Sequence, residues 1–319
     1  MPMVDMSIEQ LKQYQGSSPC PADFDAFWET ALSELKGTQR NVELVPASFV
    51  CPNAECFDLY FTGTKGARIH AKYVRPKQLS SAVPAVLQFH GYTGRADDWF
   101  GLLSYAGQGF CIAALDCRGQ AGESEDVGGV SGNTHHGHFI RGLAGSNPHD
   151  LLFRDIYLDT VALANIVMGF DEVDETRVMT FGGSQGGALA TACAALEPRI
   201  WKASIMYPFL SDFKRVWEMD LDQGAYAELR TYFRFYDPLH EREDEIFEKL
   251  GYIDVHNLAK RIRAEVLFGL SQIDTTCPPS TQFAVYNQIS SQKQMLIYPD
   301  FGHEGLPQFL DKTFAFFIK

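Results

Sequence analysis

The residue types best suited to nucleophilic chemistry cluster around one serine. Ser184 lies in Gly182-Gly183-Ser184-Gln185-Gly186, with Gly187 next in line. The stretch before it, VMTF, has the branched and aromatic residues of a strand, and ALATACAAL after it has the small residues of a packed helix. A serine on so tight a strand-to-helix turn needs neighbours without side chains, because a Cβ there would strike the adjoining strand and helix. Such a turn raises the hydroxyl above the sheet edge. It also aims the backbone N–H of Gln185 and the start of a helix at any negative charge developing on a bound carbonyl. The glycine crowding therefore predicts a displayed nucleophile.

A serine hydroxyl attacks only when a base takes its proton, and the base needs an acid to orient it. After this kind of elbow the acid comes next in the chain and the histidine last. Three histidines lie downstream, His240, His256 and His303. The first two fall in a charged stretch. His303, in YPDFGHEG between the last strand pattern and the last helix pattern, is where a loop can reach back over the sheet, and it is the expected base. Asp274, in GLSQIDTTCPP at the end of a strand pattern, is the expected acid. Asp300 is its rival but stands only three residues from the imidazole. An oxyanion needs a second N–H donor from the loop after the third predicted strand. That loop reads His90-Gly91-Tyr92-Thr93-Gly94, and the N–H of Tyr92 is the candidate beside that of Gln185.

These groups need a rigid frame. Strand patterns occur at 57–63, 68–76, 85–90, 111–116, 177–182, 202–208, 264–270 and 294–299, the later ones nearly continuous in apolar residues, as strands covered on both faces are. Helical patterns at 22–35, 97–109, 154–169, 185–196, 279–289 and 306–318 alternate with them. The alternation predicts an α/β protein of the α/β-hydrolase type: a mostly parallel central sheet flanked by helices, an antiparallel edge from the first strands, and an N-terminal helical extension. Two long segments break the rhythm, 118–150 and 210–259. The second reads as a helical insertion or cap after the sixth predicted strand, within a single domain spanning 1–319.

The totals narrow the function classes. A chain of 319 residues with 45% apolar and 21% charged residues builds a globular core without difficulty. Its net charge of −13 argues against nucleic acid and anionic membrane as partners. The first residues lack the basic and apolar regions of a signal peptide, and no apolar run is long enough to span a bilayer. Seven cysteines, Cys20, Cys51, Cys56, Cys111, Cys117, Cys193 and Cys277, form no CxxC pair. They read as reduced structural thiols, which points to a cytoplasmic setting. His135, His136 and His138 in THHGH are the rival metal site, but no cysteine or carboxylate follows at ligand spacing. The expectation is therefore no metal and no cofactor.

With these residues placed, the chain resembles the acetyl xylan esterase and cephalosporin-C deacetylase family, carbohydrate esterase family 7. The resemblance runs over nearly the whole length. It rests on PCPADFDAFWE near the start, LDCRGQ with Arg118, Gly119 and Gln120, GNTHHGHFIRGL followed by LFRDIYLDTVAL, GGSQGG around the serine, YPFLSDF at 207–213 and GHE at 302–304. The stretch LAGSNPHD before LFRD departs from it. The resemblance implies a triad of Ser184, Asp274 and His303, with Tyr92 and Gln185 supplying the oxyanion donors. It implies removal of acetyl groups from small esters, including acetylated xylo-oligosaccharides and cephalosporin C, by a hexamer whose sites face an inner chamber. Arg118 and Gln120 are expected to tie loops together rather than to react. Tyr92, Pro208 and Phe209 are expected to wall a small acyl pocket. The alternatives are a broad short-chain carboxylesterase, a serine peptidase of the prolyl-oligopeptidase type, or a non-catalytic binding protein on the same fold.

Overall fold

A computed structural model describes residues 4–126 and 136–319. Among them, nine strands make one sheet: β1 Glu43–Pro46, β2 Ala54–Thr62, β3 Arg68–Pro76, β4 Val83–Phe89, β5 Cys111–Leu115, β6 Val173–Gly183, β7 Lys202–Met206, β8 Glu265–Ser271 and β9 Lys293–Tyr298. Their spatial order is β1-β2-β3-β5-β4-β6-β7-β8-β9. β1, β2 and β3 pair antiparallel, as does β3 with β5, and every pair from β5 to β9 is parallel. The expected α/β-hydrolase sheet with an antiparallel edge is present.

The sequence pattern does not announce β1. Its four residues ELVP are mostly exposed, so burial leaves no periodic mark on them. In consequence the helical insertion follows the seventh strand, not the sixth, and the Tyr92 loop follows the fourth. The insertion contains helices Phe213–Glu218, Ala227–Tyr236, Glu243–Leu250 and Val255–Ala259. Their apolar faces, among them Phe213, Leu229, Phe233, Phe247 and Leu258, join the same hydrophobic cluster as the sheet.

The topology explains where a site can form. The chain leaves β4 to build β5 on one side, then crosses over to build β6 on the other. Loops leaving β4 and β6 therefore diverge, and a crevice opens at their carboxyl ends, the usual ligand position in such sheets. The register brings these ends level, with Phe89 opposite Gly182 and Gly183 opposite Met206. Behind this edge, sixteen of the seventeen residues of helix Leu152–Met168 are buried, as expected of a helix enclosed on all sides. One cover is the N-terminal helix Phe24–Gly37, whose Trp28 stacks on Tyr157 at 6.1 Å between ring centroids and donates its indole N–H to the carbonyl of Tyr252 at 3.1 Å.

Candidate active site

Ser184 directly follows β6 at φ 56° and ψ −122°, a conformation that costs a residue with a Cβ about 1–3 kcal/mol. The turn holds because backbone packs directly against its glycines. A Cβ on Gly182 would lie 2.3 Å from the carbonyl carbon of Gly186, one on Gly186 would lie 2.1 Å from the carbonyl oxygen of Phe89, and one on Gly187 would lie 2.6 Å from that of Met206. Gly183 is less constrained, since it faces the terminal methyl of Met206. Two bonds strap the bend to the end of β7: Ser184 N–H donates to the Met206 carbonyl at 3.1 Å, and Phe209 N–H donates to the Ser184 carbonyl at 3.0 Å. Helix Gln185–Leu196 starts immediately afterwards.

The loops after β8 and β9 bring the other two groups to this hydroxyl. His303 Nε2 lies 2.9 Å from Ser184 Oγ, and His303 Nδ1 lies 2.8 Å from Asp274 Oδ2. Asp274 is fully buried. Its second oxygen accepts the N–H groups of Thr276 and Cys277, each at 2.8 Å, so the carboxylate can turn only one edge to the ring. That edge accepts from Nδ1–H and leaves Nε2 free to accept the serine proton. Tyr207 supports the arrangement from below. Its ring lies 4.8 Å from the imidazole, and its hydroxyl donates to the Glu304 carbonyl at 2.9 Å. The competing candidates sit elsewhere. Asp300 is exposed, His240 is 3.1 Å from Glu243, and His256 is 3.0 Å from Asp254.

A cavity of about 440 Å³ opens onto Ser184 and His303, with Tyr92, Met206 and Tyr207 in its wall. Pro208 and Phe209, expected at that wall, lie behind it. Both are buried, and Phe209 packs between Tyr92 at 5.1 Å and Tyr226 at 4.4 Å. The backbone N–H groups of Tyr92 and Gln185 donate to no acceptor among the described residues, which suits donors reserved for a ligand. The Tyr92 phenol donates to the buried Glu228, which belongs to the insertion. Burial first, and then the Glu228 charge, push its pKa well up, so the phenol stays neutral and anchors the loop.

The remaining motif residues hold this loop and the elbow in register. The Gln185 side chain, wholly buried, pairs with that of Gln120 through two amide bonds of 2.7 and 3.0 Å and reaches the carbonyls of His90 and Gly91 at 3.3 and 3.4 Å. Arg118, also fully buried, grips Asp159 through Nε and Nη2 at 2.6 and 2.7 Å and meets Thr64 twice. Gly119 takes φ +68° where a Cβ would press on Asp126, and its carbonyl accepts from Nε2 of the buried His138 at 2.9 Å. Within the THHGH stretch, His138 thus braces the Arg118 turn, while His135 lies outside the described residues and His136 is exposed.

Sequence reasoning passed over two histidines that serve the same loop. His90 accepts the Cys117 N–H on Nε2 at 3.0 Å and donates from Nδ1 to the Gly91 carbonyl at 2.8 Å. Burial lowers its pKa, which keeps it neutral in that tautomer. His70 lies 2.7 Å from Asp116 and 3.0 Å from Asp58. Burial alone would push the Asp116 pKa up, but the hydrogen bonds from His70 and from the N–H groups of Ala96 and Glu123 outweigh it and hold the carboxyl at about 2. Asp116 immediately precedes the Cys117-Arg118 step, and an acid at the carboxyl end of a buried strand was the available signal.

Among the described residues, one triple of metal-ligand type comes together, Asp274, Cys277 and His303. Its chemistry suits a proton relay better than a metal. Both carboxylate oxygens are engaged as described above. Burial, followed by the Asp274 charge, raises the Cys277 thiol well above its usual range, so it stays a neutral thiol and a poor ligand.

The acetyl xylan esterase (AXE1) family matches residues 1–319. Acetyl xylan esterase 1 from Thermoanaerobacterium sp. JW/SL YS485 superposes with a TM-score of 0.95 at 53% identity, covering 98% of each chain. The acetyl xylan esterase from Paenibacillus sp. R4 does so with a TM-score of 0.92 at 33% identity, covering 98% of this chain and 99% of that one. The curated acetyl esterase Axe7A of Xylanibacter ruminicola is 29% identical over 93% of this chain, which spans 66% of that relative's length. With a family match over its whole length, this chain belongs to the acetyl xylan esterase family and, with it, to the carboxylic ester hydrolases.

Proposed function

We propose that the chain is a serine esterase that removes acetyl groups from small acetylated sugars, short xylo-oligosaccharides foremost, through an acyl-enzyme. The observation that carries this reading is the single imidazole placed 2.9 Å from Ser184 Oγ and 2.8 Å from Asp274. His303 Nε2 takes the Ser184 proton as Oγ bonds to the acetyl carbonyl carbon. Asp274 holds the ring and stabilises the imidazolium. The N–H groups of Tyr92 and Gln185 receive the oxyanion, each worth roughly 3 kcal/mol of barrier. The C–O bond to the alcohol breaks, and the alcohol departs with the proton from His303. Water then gives its proton to the same nitrogen, attacks the acetyl-serine, and releases acetate as Ser184 recovers its proton.

Several features support this reading. The serine sits in a strained turn at the sheet edge, the buried acid is fully hydrogen-bonded, and relatives named as acetyl xylan esterases match end to end. Cephalosporin C is a second acetyl ester compatible with the same chemistry. The seven cysteines are unpaired, which supports a reducing, cytoplasmic setting, and no helix among the described residues is long and apolar enough to cross a membrane. A homo-oligomer, a hexamer on the family resemblance, belongs to the same proposal. The test is turnover of p-nitrophenyl acetate and labelling by a fluorophosphonate probe. Ser184→Ala loses both while keeping the fold, and near-normal activity in that variant sinks the assignment. Acetate esters are cleaved faster than octanoate esters; the reverse order contradicts a short acyl site.

A further inference from the structure

An acetyl group occupies a small part of the 440 Å³ cavity at Ser184 and His303. The remainder has to take the alcohol portion of the ester. Part of its wall is built from β4 and the loop that follows it, where Gln88, Arg95 and Asp97 line the cavity. These three polar side chains share the lining with the apolar Phe89, Ala114 and Met206 and with His90, Tyr92 and Tyr207.

Their hydrogen bonds leave a defined capacity for a ligand. Gln88 Nε2 donates to Asp97 Oδ2 at 2.7 Å. A carboxylate can only accept, so the amide nitrogen must face it. The Asp97 carbonyl accepts from Lys72 Nζ at 2.8 Å, which holds the residue's backbone. Asp97 Oδ1 has no partner among the described residues, and the residue is exposed while lining the cavity. Arg95 is largely exposed and pairs through Nη2 with the still more exposed Asp98 at 3.5 Å, which leaves its other donors open to a ligand. A carboxylate oxygen without a protein donor, on the same cavity lining as a guanidinium held only by one exposed acid, matches a hydroxyl pair, since each hydroxyl both donates and accepts.

Resting on the reading of Ser184 as the nucleophile, we propose that Asp97 and Arg95 form the subsite for the leaving alcohol, selecting neutral polyhydroxylated alcohols by accepting one hydroxyl proton on Asp97 Oδ1 and donating to a neighbouring hydroxyl from Arg95. Gln88 is a positioning residue that holds the Asp97 carboxylate toward the cavity. The Asp97 charge also disfavours an alcohol that carries its own carboxylate near this wall.

The test compares kcat/KM for acetylated xylobiose with that for p-nitrophenyl acetate, whose leaving group has no hydroxyl neighbours. In Asp97→Ala the sugar-to-phenyl ratio falls at least about tenfold, as expected when a hydroxyl loses a charged partner, and the loss appears in KM for the sugar ester. Asp97→Asn, which keeps an acceptor and the side chain's shape, falls less and guards against misfolding of the alanine variant. Gln88→Leu lowers the ratio in the same direction. A merely structural role would lower both rates together and leave the ratio unchanged. An unchanged ratio in Asp97→Ala and Asp97→Asn, with both esters still turned over, overturns the subsite. So does a wild-type protein that cleaves p-nitrophenyl acetate but not acetylated xylobiose, and that result leaves the nucleophile assignment standing. Activity surviving Ser184→Ala removes the nucleophile assignment instead.

Discussion

Gln120 and Gln185 face each other as a closed amide pair, each donating to the other's carbonyl oxygen, at 2.7 and 3.0 Å. The contact joins the turn after β5 to the first residue after the nucleophile candidate. Because Gln185 Nε2 also reaches the Gly91 carbonyl, one side chain links the elbow to the loop carrying Tyr92. The two N–H groups proposed for the oxyanion are thereby held in a common frame.

Breaking that frame should cost more activity than stability. Gln120→Leu leaves the Gln185 amide short of partners in a buried site, a cost of about 1–3 kcal/mol in folding free energy. We expect kcat for p-nitrophenyl acetate to fall further than this loss of stability explains, with KM little changed. Parallel urea melts and steady-state kinetics on one preparation decide it, and an unaltered kcat would separate the pair from the oxyanion loop.

The Ser184 backbone sits in a conformation that costs a residue with a Cβ free energy. At φ 56° and ψ −122° glycine is at ease and alanine is not. Ser184→Gly and Ser184→Ala should both be inactive, yet the glycine variant should be more stable than the alanine variant by about 1 kcal/mol. Guanidinium denaturation midpoints measure the difference. Equal midpoints would mean that the elbow is relaxed.

Arg118 and Asp159 are a buried pair whose halves depend on each other. Arg118→Met leaves the Asp159 carboxylate enclosed without its fork, which should destabilise the fold by about 3–5 kcal/mol. The double change Arg118→Met with Asp159→Leu should recover much of that loss, because no uncompensated charge remains. Thermal unfolding of the wild type, both single variants and the double variant closes the cycle. A double variant as unstable as the sum of the single ones would refute the coupling.

The His70 and Asp116 pair predicts a bounded stability window. The Asp116 carboxyl sits at about 2 against an ordinary 3.8, so its contribution, on the order of 2 kcal/mol, is full above pH 3.8 and disappears as pH falls through 2. Burial acts to lower the His70 pKa, but its bonds to Asp116 and Asp58, with the Glu123 charge, outweigh that and raise it above 6.5. Its contribution is therefore full below pH 6.5 and is lost as pH rises through the raised value. Urea midpoints recorded from pH 2 to pH 9 should show both limbs, and Asp116→Asn should flatten them. A pH profile in Asp116→Asn identical to the wild type would rule the pair out as the source.

Local rules made much of this molecule readable in advance. Positions 182, 186 and 187 had to be glycine because backbone approaches there within distances no Cβ tolerates. Continuous or alternating runs of apolar residues mark the elements, so helix Gln185–Leu196 and strand Arg68–Pro76 coincide with their sequence patterns to the residue. Chain order then singled out Asp274 and His303, since the fold's crossovers leave few places from which an acid and an imidazole can reach the elbow. Each of these inferences depends on residues near one another in sequence, or on a topological rule common to the whole class.

Other features belong to contacts that no local pattern encodes. Tyr92 meets Glu228 across 136 residues, and His70 meets Asp116 across 46. Asp97 lines the cavity beside Gln88 of β4, whose amide it accepts across nine residues. Pro208 and Phe209 carry the residue types of a pocket wall, but the chain turns at Tyr207 and buries them behind it. The residue pattern along a strand or helix reports which face is covered. What covers that face depends on how the crossovers bring distant segments together, and in this protein that packing settled which polar side chains surround Ser184.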